Sequence, residues 1–289
     1  MSDASALGVV LDRQAARLAD AGLREPRRQA AALWAWLQDT SVGATWLARG
    51  SIPDRDATRE LAAAVDRRVA GEPLPYVVGR AGFRTLELDV DRRVLIPRPE
   101  TEGLVERVLR WARARGPGGR VADIGTGSGC IALSLAVEGV FVEIVATDAS
   151  TRALEVAQTN RRHIQPTVPV EFRSGTLLEP LAREQFDVIV SNLPYLTEHE
   201  FAELEPSVRM FEPKGALVGG EDGMLYLRML LERAATNLVD QGLLALEIDA
   251  QRATHTRDVA RDLGWTTCWL ERDVFGRLRY LLATKESTL

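Results

Sequence analysis

Val121-Ala122-Asp123-Ile124-Gly125-Thr126-Gly127-Ser128-Gly129-Cys130 reads as a buried strand, a glycine turn and the first turn of a helix. Glycines let the backbone turn tightly and come close to a ligand. The pattern then repeats. Strand 120–124, helix 129–138, strand 141–147, helix 150–161, strand 168–173, strand 186–191, helix 222–239, strand 243–248 and helix 251–263 follow one another, with strands near 265–271 and 278–284. This alternation predicts an α/β fold, with a mostly parallel, doubly wound sheet of seven strands and helices on both faces. The last two strands have no helix between them, and the link from Asp273 to Arg277 is short and contains Gly276. They are expected to pair as a hairpin, which makes the last strand antiparallel.

Upstream the period is helical. Leu7, Val10, Leu11, Ala15 and Leu18 recur at helix spacing up to Gly22. Pro26 opens a second helix bearing Ala30, Leu33, Trp34 and Leu37, and a third run carries Leu61, Ala64, Val65 and Val69. Gly71-Glu72-Pro73-Leu74-Pro75 breaks the pattern, and alternation from Tyr76 to Val90 predicts a β-hairpin. The prolines of Val94-Leu95-Ile96-Pro97-Arg98-Pro99-Glu100-Thr101-Glu102 exclude a central strand, and its acids suit a helix N-terminus. By themselves Arg98 and Glu100 read as a capped turn with a surface ion pair. The expected division is a small helical bundle over 1–72, a hairpin linker over 73–97 and the α/β domain over 98–289.

The bulk properties are those of a soluble globular chain of 289 residues, 46% hydrophobic and 27% charged, with net charge −5. An acidic balance argues against an extended nucleic-acid footprint. No apolar run approaches a membrane span, and no basic stretch leads an apolar core at the N-terminus, so a cytoplasmic protein is expected. Cys130 and Cys268 read as buried thiols, and His163, His199 and His255 lack partners at ligand spacing, so no metal is assigned.

Three strand ends compose a candidate donor site. The turn Gly125, Thr126, Gly127, Ser128, Gly129 has Gly-x-Gly-x-Gly spacing rather than the dinucleotide pattern, and Asp123 ahead of it suits an ammonium group. Asp148 ends the next strand, where it can bind both hydroxyls of a ribose or cap the following helix. Thr176 and Leu177 follow the third strand, in the place for adenine contacts. Together these suit S-adenosylmethionine better than NAD. The fourth strand stops at Ser191-Asn192-Leu193-Pro194-Tyr195. An amide side chain, a backbone carbonyl and an aromatic ring at one point can hold a planar NH2 group while a methyl is transferred to it.

At these residues the chain resembles the release-factor glutamine methyltransferases, which methylate the side-chain amide nitrogen of a glutamine in peptide chain release factors. The resemblance covers most of the chain. It rests on Gly71-Glu72-Pro73 with Tyr76 and Gly79, on Ile96-Pro97-Arg98-Pro99-Glu100-Thr101-Glu102, and on Asp123 to Gly129. It continues through Asn192 to Tyr195, Gly219-Gly220-Glu221-Asp222-Gly223, and Leu246-Glu247-Ile248 with Gln251. It implies that Asn192, Leu193, Pro194 and Tyr195 are catalytic, that Asn192 also adjoins the donor, that Arg98 and Glu100 lie near the acceptor, and that the N-terminal bundle helps to bind the release factor. Three positions depart from the family pattern: Leu193 stands for proline, Thr176 for an acid and Asp249 for glycine. Asn-Leu-Pro-Tyr also resembles the acceptor motif of ribosomal RNA adenine dimethyltransferases. The competing readings are an adenine N6 methyltransferase acting on nucleic acid, a glutamine methyltransferase of a ribosomal protein, and a catalytically weakened S-adenosylmethionine-binding protein.

Overall fold

The computed structural model describes residues 5–286, in two compact units. The first unit is the chain up to Gly79 together with the later segment Pro206–Phe211. Helix α1 (Leu7–Asp20) buries Leu7, Val10, Leu11, Ala15 and Leu18. Helix α2 (Pro26–Leu37) starts on a proline, whose fixed φ suits a first turn, and buries Leu33 and Trp34. Helix α3 (Val42–Leu47) is capped by the Ser41 hydroxyl and α4 (Arg55–Val69) by the Asp54 carboxylate. Leucines and valines from α1, α2 and α4 share one core with Val77.

Tyr76-Val77-Val78 is not a strand. It forms the short helix α5 (Leu74–Val78), with Pro75 in its first turn. Arg67 pairs with Glu72 at 2.8 Å and donates to the Tyr76 and Val77 carbonyls at 2.9 and 3.1 Å. Those carbonyls therefore need no sheet partner, and Tyr76 and Val77 turn into the core.

The second unit begins with the hairpin β1 (Arg80–Phe83) and β2 (Leu86–Asp89). The hairpin strands group with the α/β body. The buried Asn160 amide accepts from the Asp89 N–H at 2.6 Å and donates to its carbonyl at 3.0 Å, and Phe83 and Leu88 enter the core. Then come α6 (Pro99–Arg115), β3 (Arg120–Ile124), α7 (Cys130–Glu138), β4 (Glu143–Asp148), α8 (Thr151–Ile164) and β5 (Val170–Ser174). After them lie β6 (Phe186–Asn192), α9 (Glu198–Glu203), α10 (Pro206–Phe211, in the first unit), α11 (Leu225–Ala234), β7 (Leu238–Glu247), α12 (Ala253–Asp262), β8 (Cys268–Arg272) and β9 (Leu278–Thr284).

The strand order is β5-β4-β3-β6-β7-β9-β8, parallel except for β9, which is antiparallel to both neighbours. An apolar core lies on each face. Strand β7 starts five residues earlier than its apolar run suggests. A register shift between Phe186 and Val188 brings Leu238 opposite Phe186, and the Asn237 amide ends the preceding turn by donating to the Leu181 and Glu184 carbonyls. From β3 the chain builds outward to β4 and β5, then returns to the other side with β6. That reversal opens a crevice beyond the carboxyl ends of β3 and β6.

Candidate active site

The crevice is a cleft of about 480 Å³. Gly125, Gly127, Asp148, Thr176 and Leu177 border one side, and Asn192, Leu193 and Pro194 the other. The predicted donor and acceptor segments therefore share one cavity. Gly125 and Gly127 have φ of 75° and 57°, and the N–H groups of Gly125 and Thr126 both donate to the Thr147 carbonyl. A Cβ at Gly127 would meet nothing within 4 Å, so glycine is needed there for its dihedral and not for lack of room.

Asp123 does not face the cleft. Its side chain is fully buried under the turn, where Oδ2 accepts from the Thr126 hydroxyl at 2.7 Å and the Ala132 N–H at 3.1 Å. Oδ1 has no partner, and burial pushes the carboxyl up to about 7. Thr126 and Ser128 are buried beside it, and Gly129 is the left-handed residue ahead of α7. These four shape the turn rather than line it. Asp148 does line the cleft. One carboxylate oxygen accepts from the Gly127 N–H and the other from the Ser150 N–H, each at 2.8 Å. The cap of α8 is Ser150, not Asp148. Asp148 stays partly exposed, with lone pairs left for a ligand.

On the acceptor side, Asn192 ends β6 opposite Glu247 at the end of β7. Its Nδ2 donates to Thr101 Oγ1 at 3.0 Å, and that hydroxyl donates to Glu247 Oε2 at 2.7 Å. Asn192 Oδ1 accepts no hydrogen bond among the described residues. The Leu193 side chain packs in the core near Gly125, so only its backbone marks the departure from proline. The Tyr195 ring lies 6.0 Å from the Arg279 guanidinium, and burial pushes its phenol up to about 12, which keeps it neutral.

The Gly219–Gly223 segment is laid against this turn. Leu196 accepts from the Gly219 N–H and donates to the Leu217 carbonyl. A Cβ at Gly219 would collide with the Pro194 carbonyl oxygen, and one at Gly223 with that of Tyr195.

Arg98 and Glu100 do not border the cleft. Arg98 pairs with the buried Glu212, whose other oxygen accepts from the Ile96 N–H. Glu100 pairs with Arg277 at 2.8 Å, and its carbonyl accepts from the Tyr280 hydroxyl. Both residues brace the N-terminus of α6, which sets Thr101 against Asn192. Asp249 is paired with Arg252, which also reaches Glu200, so its charge is balanced within the chain. Cys268 is a buried free thiol, whereas Cys130 is only partly covered. Among the described residues no His, Cys, Asp and Glu converge as a metal site.

A release factor glutamine methyltransferase of Rhodospirillum rubrum is 37% identical over 284 residues, 97% of this chain and 86% of that protein. The chain belongs to the release factor glutamine methyltransferase family. Another release factor glutamine methyltransferase, from Gloeobacter violaceus, is 42% identical over 210 residues, 72% of this chain and 73% of its own. The PrmC N-terminal domain family matches residues 10–79, and the methyltransferase small domain family residues 104–227. Among solved structures, a methyltransferase from Pyrococcus furiosus has a TM-score of 0.52 at 21% identity, covering 69% of this chain and 90% of its own. That likeness places the α/β unit in the methyltransferase fold.

In this member of the release factor glutamine methyltransferase family, the site's supports that sequence reasoning does not single out are Thr101, Glu212 and Glu247. Thr101 and Glu247 stand inside the runs that carry the resemblance, but spacing alone does not show that they meet. The signal for Glu247 is an acid closing the apolar stretch Leu243–Leu246, where an ionised group is costly unless it is paired or hydrogen-bonded.

Proposed function

We propose that this protein transfers a methyl group from S-adenosylmethionine to the side-chain amide nitrogen of a glutamine in a peptide chain release factor. Family membership supports the reaction and the substrate. The observation that carries the assignment to residues is the Asn192 amide, whose nitrogen is tied to Thr101 while its oxygen is unspent beside the cleft.

The residues present fit the donor. Gly125 and Gly127 present bare backbone, Asp148 keeps acceptor capacity for hydroxyls, and Leu177 with Thr176 offers a wall for a flat base. Bound there, the donor supplies an electrophilic methyl on a sulfonium. The chain's part is positioning. Asn192 Oδ1 and the Leu193 carbonyl each accept one N–H of the glutamine amide, so that its nitrogen lone pair points at the methyl. Tyr195 packs on the amide plane, and Pro194 limits the turn's freedom. As the new C–N bond forms the C–S bond breaks, and the nitrogen then releases one proton to solvent. No strong base is required, because the methylated nitrogen is acidic. Placement of this kind is worth on the order of 7–11 kcal/mol of barrier.

In the same reading the helices α1–α5 recognise the release factor, and the protein acts in the cytoplasm, where that substrate is found. Among the described residues no helix is long and apolar enough to cross a membrane. The paired Arg98 and Glu100 hold the acceptor wall in place rather than touching the glutamine.

Replacing Asn192 by Ala is expected to cut methyl transfer by about a thousandfold, while donor affinity in calorimetry changes by less than about twofold. The assay uses labelled donor with purified release factor, ribosomes and DNA in parallel. An Asn192→Ala protein of normal activity sinks the mechanism, and label in DNA or ribosomes but not in release factor sinks the substrate.

A further inference from the structure

We propose that Thr101 and Glu247 are positioning residues that decide which end of the Asn192 amide faces the cleft. The proposal rests on the reading of Asn192 as the acceptor of a substrate NH2.

An asparagine amide has an accepting end and a donating end of nearly the same shape. Packing alone cannot tell them apart, yet only the oxygen can hold an NH2. The choice must come from hydrogen-bond polarity. A threonine hydroxyl has one proton, and an ionised carboxylate only accepts. Glu247 Oε2, 2.7 Å from Thr101 Oγ1, therefore takes that proton. The hydroxyl is left with lone pairs only, so at 3.0 Å it must face Asn192 Nδ2 and not Oδ1. The oxygen of Asn192 is turned to the cleft as a consequence.

The geometry that enforces this is rigid. Thr101 and Glu247 are 3% and 4% exposed, so water does not offer an alternative partner. Glu247 and Asn192 are opposite residues at the ends of adjacent parallel strands, and α6 sets Thr101 against both. Tyr280 donates to the Glu100 carbonyl, one residue before Thr101, and holds that helix end against β9.

The relay has a direction, and a proton reverses it. If Glu247 is protonated on Oε2, that O–H donates to Thr101, the Thr101 proton turns to Asn192, and the amide must rotate to offer Oδ1. Asn192 then shows an NH2 to the substrate NH2, two donors facing each other. The groups facing Glu247 are Arg98 and Glu100 at the start of α6, Tyr195 after β6, Arg279 and Tyr280 on β9, and Cys130 at the start of α7. Burial outweighs the hydrogen bond from Thr101 and brings the Glu247 carboxyl up to about 7. The reversal therefore falls within the working pH range.

The test uses Thr101→Val, Thr101→Ser and Glu247→Gln in the full chain. With saturating donor and purified release factor, Thr101→Val is expected to lower kcat by about a hundredfold, with donor Kd within about twofold, and Thr101→Ser to restore kcat to within about threefold of the parent. The parent loses kcat in acid with an apparent pKa near 7, and Glu247→Gln is slower but lacks that acid limb. A Thr101→Val protein within about threefold of the parent, or a Thr101→Ser protein as slow as Thr101→Val, overturns the proposal.

A second readout does not depend on turnover. The chain has three asparagines, Asn160, Asn192 and Asn237, so nitrogen-15 labelling of asparagine gives three side-chain amide signals, and Asn192→Asp identifies one. That signal is expected to shift in Thr101→Val and to titrate near pH 7 in the parent but not in Glu247→Gln. An Asn192 signal indifferent to both substitutions overturns the relay. If the parent labels no release factor yet the signal behaves as expected, the substrate reading fails and the relay stands.

Discussion

Asp148 has two carboxylate oxygens, and each gives one lone pair to the backbone: one to the Gly127 N–H, the other to the Ser150 N–H. The same side chain therefore holds the glycine turn and, in the proposed reading, the ribose hydroxyls. Asp148→Ala removes both functions at once. Donor affinity in calorimetry is expected to fall at least about tenfold, since two charge-assisted hydrogen bonds are lost from the ligand and one from the turn that cradles it. A change smaller than about twofold would mean that Asp148 serves only the loop. Leu193 shows the opposite economy. Its side chain belongs to the core, so substitution of the family's proline leaves in place the backbone carbonyl that the proposed reading uses.

At the scale of elements, most of the sheet was legible because a buried parallel strand is an apolar run of fixed length, followed by a helix of fixed period. What was not legible depended on partners distant in sequence. Tyr76-Val77-Val78 alternates like a strand, yet it forms a helical turn on the Pro73 carbonyl, with the distant Arg67 guanidinium on the Tyr76 and Val77 carbonyls. The start of β7 depended on a register shift in β6. The cleft was legible as strand ends, but its supports were not. Arg98 with Glu212 and Glu100 with Arg277 join residues more than a hundred positions apart. The Gly219–Gly223 segment is of this kind: its glycines are explained only by the carbonyls of Pro194 and Tyr195 lying against them. Gly219→Ala must push the Pro194 carbonyl away, and the whole acceptor turn with it. Methyl transfer is expected to fall about a hundredfold, the usual cost of an ångström of misplacement, with a drop of a few degrees in Tm. Parallel activity and melting measurements check this, and a Gly219→Ala protein of unchanged kcat would show that the segment does not set the turn.

For the molecule as a whole, the site leaves a mark on stability. Asp123 and Glu247 are buried acids whose carboxyls are pushed from 3.8 and 4.5 up to about 7. Asp148 is moved the same way by burial, in direction. Within that window the folded chain keeps protons that the unfolded chain has released. Stability therefore falls as pH rises through it, and above about 7 the full cost of burying the charge is felt, on the order of a few kcal/mol for a fully buried carboxyl. Other acids act in the opposite sense. Asp91, hydrogen-bonded to Arg93, and Glu184, held by Arg173 and Arg120, have lowered values, so their contribution is present above the ordinary carboxylate range and is lost in stronger acid. The two sets together place the stability maximum in mild acid. The Tm of the ligand-free protein is expected to be several degrees higher near pH 5.5 than near pH 8. Asp123→Asn isolates one contributor: its oxygen can still accept from Thr126 and Ala132, but it has no proton to lose. That variant is expected to show a clearly flatter dependence of Tm on pH between about 5.5 and 8, and a slope equal to the parent's would mean that Asp123 is not the acid whose burial the fold pays for.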